Sequence, residues 1–222
     1  MKQRNDSVSG MPGHFSPECR ECTRLAQHLK TVRTAYPAYY ARPVPAFGAQ
    51  VPRLLIVGLA PGLHGANRTG RPFTGDYAGI LLYETLHAYG YASQALATAP
   101  DDGLQLRHCR ITNAVKCLPP ENKPTPEEVK RCNQYLRQEL ADLASGSAIL
   151  ALGRIAHQAV LMASDLRAGA YPFAHGARHL LPQERTLFDS YHCSRYNTQT
   201  RRLTPQMFRE VFDAIETHLA AK

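Results

Sequence analysis

No apolar run in this 222-residue sequence approaches the roughly 20 residues that a membrane-spanning helix needs. Residues 1–18 also lack the apolar core of a secretory signal. The expectation is a soluble protein of the cytoplasm, associated with the nucleoid if its source is bacterial. Internal repeats and low-complexity tracts are absent, which sets aside repeat arrays and compositionally biased linkers. No long basic run occurs either, so any basic surface must be gathered by folding. No lysine falls between Arg53 and Asp76, and the run after the first strand-like segment is Gly-Leu-Ala-Pro-Gly. That stretch is therefore neither the phosphate loop Gly-x-x-x-x-Gly-Lys-Ser/Thr nor the dinucleotide fingerprint Gly-x-Gly-x-x-Gly.

Against these absences stand 26 Lys+Arg and 18 Asp+Glu, a net charge of +8 and a pI near 9.3, which favour a polyanionic partner. With 44% hydrophobic residues the chain is expected to fold as one domain with a sizeable core over 17–222, preceded by a mobile polar arm over 1–16. The central feature is the stretch from Gly58 to Asp76, GLAPGLHGANRTGRPFTGD. It follows the branched apolar run Arg53–Val57, read as a buried strand, and precedes an amphipathic helical pattern over Tyr77–Tyr89. Its five glycines let backbone approach a ligand and leave N–H groups free to bind it.

Six cysteines occupy positions 19, 22, 109, 117, 132 and 193. Cys19 and Cys22 form a C-x2-C pair flanking two charged residues, and Cys117 and Cys132 follow almost a hundred residues later. Four thiolates from two distant places close a loop around one metal centre, and both zinc and a [4Fe–4S] cluster accept four cysteines. Cys109, inside a predicted strand, suits a buried small hydrophobe.

A helix is predicted over 19–34 with Leu25, Leu29 and Val32 as its apolar stripe, then a proline-rich extended segment over 36–45. A second strand is predicted near 106–115, with Ile111, Asn113 and Val115 on one face. Thr125-Pro-Glu-Glu128 carries a capping-box pattern at the start of the helix that bears Cys132. Further strands fall at Ala148–Leu152 and Arg185–Tyr191. The last helix buries Phe208, Val211, Phe212, Ile215 and Leu219. Alternating strands and helices predict a three-layer α/β fold with a central, mainly parallel four-stranded sheet. Ligands bind beyond the carboxyl ends of such strands, where the glycine loop, Asn113, Gly153 and His192 all fall.

Five segments together resemble family five of the uracil-DNA glycosylase superfamily, the iron–sulfur, broad-specificity type. They are the glycine loop, ITNAVKCLPPENKPTPEE, ALGRIAHQAV, the FAHGA run at 173–177, and HCSRYNTQTRRLT. The resemblance implies a monofunctional hydrolase that removes uracil and other deaminated bases from DNA. The alternatives are a uracil-specific glycosylase of the sister iron–sulfur family and a non-catalytic nucleic-acid-binding module with a structural four-cysteine metal site. A monomer is expected. It implies a [4Fe–4S] cluster, with zinc as the alternative, on Cys19, Cys22, Cys117 and Cys132. Phe73 would stack on an extruded base and Asn113 would read its polar edge. His192 would face the leaving base and Asp76 would be the catalytic carboxylate. Gly58, Ala60 and Gly62 would border the base, while Arg195, Arg201 and Arg202 would contact phosphates.

Each residue has a structural reading too. Asp76 stands where a helix N-cap belongs, Asn113 and His192 could satisfy neighbouring backbone, and Phe73 could be core. The three arginines could form a solvated basic face. Two departures from the family pattern bear on the site. Ala60 replaces the water-activating polar residue found in better-known branches, and Arg201 stands at a family glycine.

Overall fold

The computed structural model describes residues 15–222, so positions 1–14 of the predicted arm lie outside the described residues. Its sheet has six strands in the order β1-β3-β2-β4-β6-β5: β1 (Phe47–Gly48), β2 (Leu54–Gly58), β3 (Cys109–Asn113), β4 (Ala148–Leu152), β5 (Arg178–Leu180) and β6 (Thr186–Ser190). The four predicted strands are the central, parallel ones. The expected count of four is corrected by β1 and β5, short antiparallel strands that close the two edges. With two and three residues, neither is long enough to show an alternating pattern.

Strand residues alternate between two apolar clusters, which is the period-two geometry of a sheet covered on both faces. Leu55, Val57, Ile149, Ala151 and Leu187 face α1 (Thr23–Ala35), α4 (Pro126–Ala141) and α5 (Arg154–Ala163). Leu54, Ile56, Ile111, Leu150 and Phe188 face α3 (Tyr77–Ala88) and α7 (Pro205–Ala220). The α7 stripe is the predicted one: Phe208, Phe212 and Ile215 are fully buried, with Val211 and Leu219 nearly so. Burial of each such side chain stabilises the fold by about 1.5–3 kcal/mol.

Local signals hold where short-range chemistry sets them. At α4 the Thr125 hydroxyl accepts from the Glu128 amide, and the Glu128 carboxylate accepts from the Thr125 amide at 2.8 Å. Three boundaries move. The first helix begins at Thr23, with Cys22 as its extended N-cap, so both early cysteines precede the helical turns. The segment after α1 opens with a turn, Tyr39 N–H donating to Tyr36 C=O at 3.0 Å, before it extends. β3 ends at Asn113, and Val115 packs in the α1/α4/α5 cluster while Ile111 packs in the other, so the expected shared face stops at Asn113. Two short helices also interrupt predicted loops, α2 (Ala66–Thr69) in the glycine loop and α6 (Arg195–Gln199) after His192.

Candidate active site

The parallel strands end on one rim, and a cavity of about 450 Å³ opens there. The glycine loop supplies Leu59, Ala60, Gly62, Ala66, Phe73 and Asp76 to its wall, and α3 adds Tyr77 and Ala78. Asn113 comes from the end of β3, Asn122 from the loop after Cys117, and His192, Ser194 and Arg195 from the segment after β6.

Asp76 is the N-cap of α3: its Oδ1 accepts the Gly79 amide at 2.9 Å. Burial raises its carboxyl above the ordinary range, opposed by the amides of Gly79 and Ala78. The other oxygen lies against Gly65, where an added Cβ would sit 2.4 Å from Oδ2. Capping and access to the cavity therefore coexist in one side chain. Asn113 is 3% exposed, and its amide makes no side-chain hydrogen bond to the described residues, although it faces the cavity. A buried amide facing an open cavity without a protein partner is poised for a ligand.

Phe73 is 6% exposed, so it is both core aromatic and cavity wall. Its backbone is left-handed, with φ of 54°, an unfavourable conformation that the surroundings hold in place. Arg71 supplies part of that hold through two hydrogen bonds to Asp102, at 2.9 and 2.7 Å. Burial pushes the Asp102 carboxyl upward, but the Arg71 guanidinium and the amides of Leu104, Ala99 and Thr98 outweigh it and lower the net value. The Tyr83 hydroxyl donates to Pro72 C=O at 2.9 Å and fixes the preceding residue.

His192 lies near-parallel to Phe73, with ring centroids 5.9 Å apart and planes at 29°. Burial pulls the imidazole down to about 4, so the ring is neutral at pH 7. It also borders a second cavity, of about 310 Å³, with Gly153, Arg154, Phe173, Tyr191 and Arg202. The three arginines divide. Arg195 lies over the Tyr77 ring at 5.3 Å, and Arg202 over Tyr191 at 4.6 Å, each beside a cavity that contains His192. Arg201 is exposed and lines neither. Its φ of 56° is left-handed, which accounts physically for glycine at this position in the family pattern.

Gly58 does not line the cavity; it lies beneath it. An added Cβ there would be 2.4 Å from Asn113 Oδ1 and 2.8 Å from the Phe73 ring. Cavity residues that sequence reasoning missed include Asn122, Tyr77 and Ser194, whose roles depend on where their loops fold. It also missed a buried network in which Asp189 meets His157 Nδ1 at 2.8 Å and His179 Nε2 at 3.2 Å, tying β5 to α5. No local spacing connects those three residues.

On the far side of the glycine loop, Cys19, Cys22, Cys117 and Cys132 border one small cavity with Lys116, Arg131 and Tyr135. The Tyr135 hydroxyl donates to Cys19 Sγ at 3.2 Å, and the Lys116 amide to Cys132 Sγ at 3.3 Å. Cys109 and Cys193 are buried in the other cluster. None of the six cysteines forms a disulfide. Among the described residues, no three of the four clustered sulfurs lie within 4.8 Å of one another.

Comparison with known proteins agrees with this geometry. Residues 45–216 match the profile of the uracil DNA glycosylase superfamily. The chain belongs to that superfamily. Over 198 residues, 87% of this chain and 90% of the relative, it is 50% identical to the type-5 uracil-DNA glycosylase of Thermus thermophilus. The type-5 enzyme of Mycobacterium leprae is 43% identical over 202 residues, 87% and 88% of the two chains. A type-4 uracil-DNA glycosylase of Archaeoglobus fulgidus is 35% identical over 149 residues, 67% of this chain and 61% of its own. Within the superfamily, then, the resemblance is to the type-5 members.

Gly58→Ala tests the floor of the pocket. The added methyl must displace the Asn113 amide or the Phe73 ring, both held by buried neighbours. Single-turnover excision of uracil is expected to fall by at least 10-fold, about 1.4 kcal/mol in the barrier. Unchanged excision in a well-folded Gly58→Ala protein would show that neither group is held as described.

Proposed function

We propose that this chain hydrolyses the N-glycosidic bond of uracil, and of other deaminated bases, in DNA, with Asp76, Asn113, Phe73 and His192 as the working residues. Its family and its type-5 relatives make it a uracil-DNA glycosylase, a hydrolase of base excision repair. The observation that carries the residue assignment is convergence. Four residues from three separate segments, spanning positions 73 to 192, line one cavity.

Cleavage passes through an oxocarbenium-like sugar while the base departs with negative charge. Asp76, held by the Gly79 amide, supplies a fixed carboxylate beside the cation and accepts a proton from the attacking water. The neutral His192 ring donates an N–H to the departing base oxygen without needing to be charged. A base reaches this site only after leaving the stack, and Phe73 with Asn113 gives it an aromatic surface and an amide partner. No lysine lines the cavity, which supports hydrolysis without a Schiff base and hence without strand cleavage. Arg195 and Arg202 flank the site and suit phosphate contacts, with Arg201 more remote. Among the described residues no helix is long and apolar enough to cross a membrane. We take the enzyme to act as a monomer on DNA in the cytoplasm.

The four-cysteine site suits a [4Fe–4S] cluster, with zinc as the alternative that four thiolates also accept. Cys19, Cys22, Cys117 and Cys132 would hold the cluster, which would supply a structural tie and no electron to the hydrolysis.

Three measurements test this reading. Protein purified without oxygen is expected to be brown and to contain iron and sulfide, and Cys109→Ser and Cys193→Ser are expected to keep the colour. Colourless protein with stoichiometric zinc would remove the cluster. Asp76→Asn keeps an oxygen to cap α3 but loses the charge, so Tm is expected to hold while single-turnover excision drops by roughly 10²–10⁴-fold. Near-full activity would reduce Asp76 to a cap. The wild-type rate is expected to be level around neutrality and to fall on the acid side as Asp76, its carboxyl raised by burial, takes up a proton. A limb centred near the ordinary histidine value of about 6.5 would contradict the lowered His192 imidazole.

A further inference from the structure

The glycine loop carries an exposed histidine that the mechanism leaves unused. His64 stands between Gly62, which lines the cavity, and Gly65, which packs on Asp76. Its Nδ1 lies 2.9 Å from the Tyr39 hydroxyl. Tyr39 in turn stacks on Tyr36, with centroids 4.7 Å apart and planes at 20°. The His64 ring stands edge-on to both tyrosines, at 5.8 and 6.0 Å. With the Tyr39 hydroxyl donating to Nδ1, the ring proton sits on Nε2, and a protonated ring carries a proton there as well. Among the described residues nothing accepts from Nε2, nor from the hydroxyl of Tyr36, which is 37% exposed. Both donors face solvent, and His64 stands two residues from Gly62 of the cavity wall. Exposed Arg68 in the same loop, whose Nε donates to the His64 carbonyl at 2.8 Å, brings positive charge beside His64. A fixed set of donors on a basic rim, with aromatic faces between them, matches a sugar–phosphate chain.

We propose that His64 and Tyr36, set in place by Tyr39, bind the sugar–phosphate backbone of DNA beside the extruded base, as a contact separate from that of Arg195 and Arg202. The proposal rests on the reading of the chain as a DNA glycosylase. Tyr39 also helps to fasten the segment after α1 to the glycine loop, where Tyr40 and Ala41 donate to the carbonyls of Arg68 and Asn67. That fastening alone would leave His64 Nε2 and the Tyr36 hydroxyl without a use, and it predicts no change in DNA affinity when they are removed.

The test is equilibrium binding of His64→Ala, His64→Gln and Tyr36→Ala to a lesion duplex and an undamaged duplex, at several salt concentrations, with Tm measured alongside. His64→Ala is expected to weaken both duplexes in parallel, by several-fold, with the salt slope little changed, because a neutral donor releases no counterion. His64→Gln, which keeps a donor, is expected to restore most of the affinity. Wild-type affinity for both duplexes in a stable His64→Ala protein would overturn the proposal. Should His64→Ala lower Tm, Tyr36→Ala decides, since its ring makes no hydrogen bond in the fold; wild-type affinity there overturns the proposal equally. Wild-type excision separates the two levels. A wild-type protein that binds no DNA and excises nothing removes the glycosylase reading, whereas active wild type beside a fully binding variant removes only this contact.

Discussion

The pocket depends on one pairing, that of Gly58 on β2 with Asn113 on β3 at the carboxyl end of two parallel strands. Parallel register sets the Asn113 amide beside a residue with no Cβ, and the Phe73 ring fills the space that remains. A slip of one residue would turn Asn113 to the opposite face and set a side chain against the ring. The apolar alternation of β2 and β4 holds that register, because each slip would also exchange the two buried clusters. The chemistry at the rim is thus secured by packing several residues deeper in the sheet.

A second economy lies in Asp76. One oxygen of this carboxylate satisfies the first turn of α3 while the side chain borders the cavity. The same enclosure acts in opposite directions on two groups. Burial favours the neutral form of each, raising the Asp76 carboxyl and lowering the His192 imidazole. Backbone amides at the helix start oppose the effect on Asp76, and no such donor set acts on His192. The two groups share one cavity wall, with a carboxyl raised and an imidazole lowered by the same enclosure.

The cysteine site reaches the pocket through the backbone. Cys117 lies four residues beyond Asn113, and the intervening Ala114 and Val115 donate to the carbonyls of Gly58 and Leu59. Cys22 caps α1, and the segment that follows α1 is bonded to α2 of the glycine loop. A centre held by these four residues would brace both walls of the base pocket while remaining outside it.

The sequence by itself determined what short-range chemistry decides. The periodicities of β2, β4 and α7, the capping box at Thr125 and the cap position of Asp76 were all legible, because each depends on neighbours within a few residues. Motif order identified Asp76, Asn113, Phe73 and His192, and the structure brings them to one cavity. Only the tertiary structure decided the rest. The edge strands β1 and β5 are two and three residues long and exist because a longer neighbour offers them a free edge. Asn122 enters the cavity through a left-handed loop (φ 57°) between the Cys117 loop and α4, which no spacing encodes. Arg195, Arg201 and Arg202 read alike as phosphate contacts and were separated by the turn that leaves Arg201 left-handed and apart. Protonation followed the same rule: residue type names the groups that can titrate, but burial, a property of the assembled fold, decides which of them carries charge.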